Sequence, residues 1–239
     1  MKESFIKDYL DQAIIRIDFL TPNLIPSDSL STELIQEIMK LFPIAEPREA
    51  IAEEFQIKGG QPIETKIEKM IEWNFYGKDK EKRLCLSKQS FFIAFKKYDS
   101  FKNLKLTFIP IAEKLFKNYT GLQGKRLGLR YINKIKLNDN NYFEWEEYLN
   151  KNLLAIFNIP DSGEKKNISR AFHNLIINYD SFNLRFQYGM YNPDFPASIK
   201  QKLFILDFDA ACSELILIEN LEQKLTIFHD KIKELLDRC

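Results

Sequence analysis

Glycine-rich phosphate loops and paired cysteines are both missing from this chain. Its 239 residues include only eight glycines, and GLQGKRLG at 121–128 fits neither a Walker A sequence nor GxGxxG. No GxSxG motif occurs. The three cysteines, Cys85, Cys212 and Cys239, are widely spaced and form no CxxC pair. This spacing argues against a disulfide framework and a zinc site, and it predicts reduced thiols.

Long apolar runs are also absent. The longest mainly apolar stretches, such as FFIAF at 91–95, fall far short of the roughly 20 residues that cross a bilayer. The opening MKESFIKDYLDQ has no apolar secretory core. We therefore expect a cytoplasmic protein that has no membrane partner.

Neither sign of charge dominates. The chain has 35 basic and 34 acidic residues, a net charge of +1, so a nucleic-acid partner would require a local basic patch. The composition is 45% hydrophobic and includes 20 phenylalanines, enough to fill a sizeable core. This length and content fit one large domain or two closely packed halves.

Histidine is scarce, with His173 and His229 as its two examples. No HxH, HExxH or His-plus-Cys spacing occurs, so we expect no zinc enzyme. Under the leading functional hypothesis given below we also expect no metal and no cofactor. His229 is expected at the edge of the apolar stripe of the last helix. Such a residue usually has a packing role, and a ligand role for His229 is the alternative.

Hydrophobic periodicity predicts the same order of elements twice. The first half has a strand (13–20), a helix (30–42, capped by Ser29 or Ser31), strands (50–58, 66–77, 82–98) and a helix (101–119). The second half has a strand (124–137), a helix (142–159), strands (167–179, 182–191, 201–211) and a helix (220–238, with Asn220 in capping position). The predicted fold is α+β: two pseudo-repeated β-α-β-β-β-α halves, residues 1–121 and 122–239, form antiparallel sheets with helices on one face of one compact unit.

Individual residues support the repeat. Displacing the first strand by 114 residues puts Ile15 on Leu129 and Arg16 on Arg130. FFIAF at 91–95 falls on FILDF at 204–208. Chance is the alternative for any single match, but the shared element order favours two copies.

GKRLGLRYINKIKL at 124–137 combines five basic residues with a polar residue on its apolar face. Alternation puts Tyr131 and Asn133 on one face and Arg130 on the other, with Gly128 beside it. The basic face could follow phosphates or simply be solvated. Asn133 replaces the first-half Phe19. Its amide must find hydrogen-bond partners, so we expect either a structural role or the lining of a polar cavity.

LDFDA at 206–210 is the second candidate for chemistry. Asp207 and Asp209 share one strand face, where a pair of carboxylates could hold Mg²⁺ or transfer protons. Ion pairing across the sheet, for instance with Arg130 or Arg16, is the simpler alternative. Trp73 and Trp145 are expected to anchor the core rather than to stack on bases.

Three segments carry a family resemblance: GLRYIN at 128–133, LDFDA at 206–210 and FHDKI at 228–232. With them, the chain resembles an uncharacterised prokaryotic family scattered sporadically among bacteria and archaea. The matching positions are Trp73, Phe75, Leu129, Arg130, Tyr131, Ile132, Asn133, Asp207, Asp209 and His229. The resemblance implies no activity, but such a distribution suits mobile genes, including those of defence systems.

The leading functional hypothesis is a non-enzymatic cytoplasmic protein that binds a protein partner. The first alternative is nucleic-acid binding on the basic face of residues 124–136, joined by Arg16. The second is a metal-dependent hydrolase at Asp207 and Asp209. Candidate binding residues are Arg16, Arg130, Tyr131, Asn133, Asp207, Asp209 and His229. Edge strands in both halves would also allow a homodimer.

Overall fold

A computed structural model describes residues 9–21, 24–26, 28–58, 61–138, 140–161 and 163–239, with the backbone alone described for 50–70. The described residues form ten strands and four α-helices. The strands are β1 (Leu10–Phe19), β2 (Ile44–Ala45), β3 (Arg48–Lys58), β4 (Gln61–Tyr76), β5 (Lys82–Leu86), β6 (Ser90–Phe95), β7 (Gly124–Leu137), β8 (Ala171–Asn178), β9 (Asn183–Met190) and β10 (Lys202–Cys212). The helices are α1 (Thr32–Leu41), α2 (Phe101–Asn118), α3 (Lys151–Leu154) and α4 (Leu221–Leu236).

The strands form one antiparallel sheet in the order β2-β4-β5-β6-β1-β7-β10-β9-β8. β3 lies off this path and pairs with β4 alone among the described strands. β1 and β7 are neighbours at the middle, with Ile15 opposite Leu129. The strands on either side of residue 122 therefore belong to the same sheet, and the predicted α+β class is confirmed in this form.

The helices α2 and α4 pack on one face of this sheet. Ala13, Ile15 and Ile17 of β1 are buried, whereas Arg16 is exposed, as the period of two requires. Phe108 of α2 stacks on Phe91 of β6 at 4.9 Å between ring centroids. α4 contacts β7 and β10. No helix of the described chain is long and apolar enough to cross a membrane.

The predicted strand over 82–98 is wrong in one respect: the structure divides it into β5 and β6. The hydroxyl of Ser87 accepts hydrogen bonds from the backbone N–H groups of Gln89 and Ser90, both at 3.2 Å. A serine that satisfies two backbone donors stabilises a turn. The chain therefore reverses at 87–89, where the alternation of side chains had suggested continuity.

The predicted helix over 142–159 is wrong over its first half, residues 142–150. Within this range, only α3 and the 3₁₀ helix that follows it over Ala155–Asn158 are helical. The side chain of Asn150 accepts from the N–H of Asn152 at 3.0 Å and caps a helix that begins there. Upstream, Trp145 is fully buried and packs edge-on against Phe204. Trp145 therefore anchors the core, as expected from the sequence. Its packing holds the segment before α3 in an irregular conformation.

The other helix boundaries agree closely with the sequence. Ser31, one of the two predicted caps, accepts from the N–H of Leu34 at 3.3 Å and begins α1. Asn220 directly precedes α4 as predicted, but its side chain makes no capping hydrogen bond. β7 has the predicted bounds, 124–137.

Candidate functional site on the open sheet face

The sheet face turned away from α2 and α4 carries a group of charged side chains, most of them partly exposed, together with a few uncharged residues. We call it the open face and define it by Ile14, Arg16, Asp18, Phe92, Arg126, Gly128, Arg130, Arg185, Asp207 and Asp209. These residues alternate along five neighbouring strands with residues of the core. The candidate site is therefore a product of the strand order rather than of one motif.

A continuous chain of ion pairs crosses the open face. Arg16 Nε lies 2.6 Å from Asp18 Oδ1. Arg126 bridges two strands, at 3.6 Å from Asp18 and 3.4 Å from Asp209. Arg185 Nη2 is 3.1 Å from the other oxygen of Asp209. Positive and negative groups thus alternate from β1 to β9.

Arg130 and Asp207 form the most complete pair. Nε and Nη2 of Arg130 donate to the two carboxylate oxygens of Asp207 at 2.8 and 2.6 Å. The Asp207 side chain is only 8% exposed, against 37% for Arg130. Hydrogen bonding to Asp207 raises the pKa of Arg130. The ion-pair interpretation of LDFDA is confirmed, since Asp209 is paired as well.

A shallow pocket of about 310 Å³ lies at the centre of the open face. Its walls include Arg16, Arg126 and Arg130, and Ile14 and Phe92 supply apolar surface. Gly128 lies on its floor. A Cβ at Gly128 would come within 3.0 Å of Arg126 Nη1, so glycine leaves room for this guanidinium to lie across the strand.

The positive charge of residues 124–136 is largely neutralised in the fold. Arg126 and Arg130 are paired with aspartates, and Lys134 Nζ lies 2.8 Å from Asp11. Lys125 and Lys136 are exposed. The open face is therefore a surface of mixed charge rather than a basic stripe.

Asn133 does not join Arg130 and Asp207 at the open face. It projects into the core at 3% exposure, and its Nδ2 donates to the backbone oxygen of Leu206 on β10 at 3.3 Å. The amide thus satisfies a main-chain group of the neighbouring strand. This contact supports the structural role rather than a cavity lining.

Tyr131 and His229 also lie in the core. The Tyr131 hydroxyl and His229 Nδ1 share a hydrogen bond of 3.0 Å, and the imidazole stacks on Phe101 with 4.0 Å between ring centroids. Burial, reinforced by Lys233 and Lys105, lowers the pKa of His229 from 6.5 to about 4. A neutral, packed imidazole links α4, β7 and α2.

The thiols and the second histidine offer little nucleophilic chemistry. Burial raises the pKa of Cys85 to about 11 and that of Cys239 to about 12, and it raises the pKa of Cys212 as well. The thiols therefore stay protonated at neutral pH. His173, on β8, stacks on Tyr188 at 4.8 Å. Within the described residues, no three His, Cys, Asp or Glu side chains are placed to hold a metal ion.

Comparisons with known proteins add nothing to these contacts: no protein-family model matches the chain, and no curated protein matches it in sequence. The candidate site has to be judged on its geometry. Sequence reasoning found Arg16, Arg130, Asp207 and Asp209 but not Asp18, Arg126, Arg185 or Phe92 as site residues. Alternation along β7 places Arg126 on the same face as Arg130, so this residue could have been found from the sequence. Arg185 and Phe92 became visible only through the strand order.

Proposed function

We propose that the protein is a non-enzymatic cytoplasmic interaction protein whose open face binds a protein partner. The observation that best supports this proposal is the central pocket, where arginines alternate with aspartates around Ile14 and Phe92. Arginine beside apolar surface is typical of the well-packed centres of protein interfaces. Charges of both signs, fixed in place by one another, would orient a partner that carries the complementary arrangement.

Arg16 is the group best placed to meet the partner. Among contacts between described residues, only its Nε is hydrogen-bonded, to Asp18, and the side chain is 46% exposed. Its two Nη groups can therefore both donate hydrogen bonds to one carboxylate of the partner. Phe92 lies opposite Arg16 on β6 and offers an apolar contact beside that carboxylate.

The alternative functions have less support from the same contacts. A nucleic acid would compete with Asp18, Asp207 and Asp209 for the arginines that it needs. A divalent cation at Asp207 would lie beside the Arg130 guanidinium, which repels it. Both alternatives therefore require the paired groups to separate first.

The proposal is tested by affinity capture with charge-reversed variants. Immobilised wild-type protein should retain a stoichiometric partner, and Arg16→Glu should lose most of it. Lys102→Glu, at an exposed position of α2, is the matched control and should retain the partner. Equal capture by all three proteins would overturn the open face as the binding surface.

A filter-binding titration separates the nucleic-acid alternative. Binding that weakens steeply with added salt, and that Arg16→Glu abolishes, would favour phosphate recognition instead. If no nucleic acid binds, the proposal of a protein partner stands.

We also propose that the two halves are copies of one ancestral unit. The strand order supports this: outward from β1 and β7 come β6 and β10, then β5 and β9, then β4 and β8. β1 and β7 pair at Ile15 and Leu129, the same two residues that the displacement of 114 matches. β2 and β3 have no counterpart among the described strands of the second half and are then additions to the first copy.

The register of strand pairing changes one residue match between the two proposed copies, that of Phe92. Phe92 is the β6 neighbour of Arg16, and Asp209 is the β10 neighbour of Arg130. If Arg16 and Arg130 are equivalent, Phe92 corresponds to Asp209 rather than to Ile205. The central pocket then lies on the axis that relates the copies, and its two halves have diverged chemically.

We infer from the family resemblance that the partner is encoded beside this protein in a mobile or defence-type gene system. Co-expression with the products of neighbouring genes, followed by the same capture with Arg16→Glu, tests this. Failure of every neighbour to bind would remove the genetic context from the proposal.

A further inference from the structure

β8 is an edge strand without the usual protection against pairing. It ends the strand order, and among the described strands it pairs with β9 alone. Its sequence, AFHNLIIN, has no charged residue and no proline. Phe172, Leu175 and Ile176 are 40%, 46% and 55% exposed. Proteins that keep an edge strand single usually place charges, prolines or bulges on it.

The turn between β8 and β9 fixes which backbone groups of β8 point outward. The N–H of Tyr179 donates to the oxygen of Phe182 at 2.9 Å. Bonded and non-bonded residues alternate along an antiparallel pair. Ala171, His173, Leu175 and Ile177 therefore bond to β9. Phe172, Asn174, Ile176 and Asn178 direct their N–H and C=O groups to the outer edge.

We propose that this edge pairs with the same edge of a second copy of the chain, antiparallel, around a two-fold axis at Asn174. The two Asn174 residues exchange backbone hydrogen bonds. Phe172 of each copy lies opposite Ile176 of the other, an aromatic and β-branched pair of the kind that stabilises sheets. The two sheets join into one continuous sheet across the axis.

Charge complementarity favours a second copy as the occupant. Arg170 lies just before β8 and Asp180 just after it, and both are exposed. Antiparallel self-pairing places each Arg170 diagonally beside Asp180 of the other copy, so two ion pairs flank an uncharged centre. A parallel arrangement would instead place like charges together at both ends.

The surface is distinct from the central pocket, so the dimer does not depend on the proposed function. Arg16→Glu should leave dimerisation unchanged, and variants of β8 should leave partner capture unchanged. The two proposals can therefore fail separately.

Analytical ultracentrifugation over a concentration series tests the dimer. We expect Ile176→Lys to raise the dissociation constant at least tenfold, because lysine at an edge opposes pairing. Ile176 is already half exposed, so the monomer should keep its fold. Leu106→Lys, at a 62% exposed apolar position of α2, is the matched control and should leave the dissociation constant unchanged.

Cysteine cross-linking tests the register. Asn174→Cys should form a disulfide-linked dimer under mild oxidation, because directly opposed residues in a hydrogen-bonded pair lie within disulfide range. Asn178→Cys, on the same edge but away from the axis, should not. A wild-type protein that stays monomeric at its highest soluble concentration would overturn the proposal. So would a dimer that tolerates Ile176→Lys and is not linked through Asn174→Cys.

Discussion

Arg126 shows how single residues organise the open face. Its guanidinium spans from Asp18 on β1 to Asp209 on β10, across the strand that carries it. The absence of a side chain at Gly128 makes this path available. Asp18 and Asp209 are paired through Arg126, and Asp207 is paired with Arg130. The face therefore keeps a defined pattern of charge that a partner can recognise.

The Arg130–Asp207 pair should respond unequally to loss of either partner. Arg130→Met leaves the buried carboxylate of Asp207 unpaired and should lower the free energy of unfolding by about 3 kcal/mol. Asp207→Asn leaves a guanidinium that is 37% exposed and can reach water, so about 1 kcal/mol is expected. Urea unfolding at neutral pH measures both changes.

The double variant supplies the control for this comparison. If the two residues act as a unit, Arg130→Met combined with Asp207→Asn should cost less than the sum of the single changes. Additive costs would mean that the bidentate contact contributes nothing, and the pair would then be two independent surface charges.

Sequence patterns could locate these residues but not their partners. The alternation of IRIDF at 15–19 and LRYIN at 129–133 put Arg16 and Arg130 on outer faces, where they are found. The buried amide of Asn133 was also foreseeable from the same alternation. The pairing of Arg185 with Asp209 depends on β9 lying next to β10. The alternation of side chains does not reveal which strands are neighbours in the sheet.

At the scale of elements, the turn at Ser87 is the feature that separates a predicted strand into two. Ser87→Ala removes the acceptor of two backbone N–H groups at a position that is 7% exposed. We expect a loss of about 1–2 kcal/mol in the free energy of unfolding. Ser29→Ala, where the hydroxyl is exposed and contacts Asp28, should change stability little.

Thermal or urea unfolding of these two serine variants would decide whether the turn is held locally. An equal and small effect would mean that the pairing of β5 and β6 maintains the reversal by itself. The sequence did not reveal the turn because SKQS at 87–90 contains neither glycine nor proline. Serine stabilises this turn through its side chain, and serine indicates a turn less strongly in a sequence than glycine or proline does.

The segment 142–159 illustrates the opposite failure. Its aromatic and aliphatic residues recur at helical spacing, yet Trp145 and Phe157 are placed by contact with Phe204 of the sheet. Most helical stability in proteins comes from such packing rather than from local propensity. Where packing favours an irregular path, periodicity alone predicts the wrong element.

On the scale of the whole molecule, His229 joins both long helices to the middle of the sheet. It belongs to α4, stacks on Phe101 of α2 and contacts Tyr131 of β7. Protonation of this imidazole would place a positive charge among these buried groups and close to Lys105 and Lys233. Burial is the main cause of its lowered pKa, and these two lysines lower the pKa further. The global stability should therefore depend on pH through this residue.

The direction of that dependence follows from the two pKa values. The pKa of His229 is about 4 in the folded chain and 6.5 in the unfolded chain, so neither state binds its proton well above pH 6.5. As the pH falls below 6.5, the unfolded state binds a proton that the folded state excludes, and unfolding is favoured. Between pH 7 and pH 5 the free energy of unfolding should fall by about 2 kcal/mol from this residue alone.

His229→Phe isolates this contribution because phenylalanine can still stack on Phe101 but cannot titrate. Its absolute stability will differ from wild type, so the informative quantity is the change between pH 7 and pH 5 in each protein, measured by urea unfolding. Carboxylates titrate alike in both, and their contribution cancels in the difference. The wild type should lose about 2 kcal/mol more than the variant over this interval. Equal losses would place the imidazole in contact with water and contradict its buried, neutral role between α2, α4 and β7.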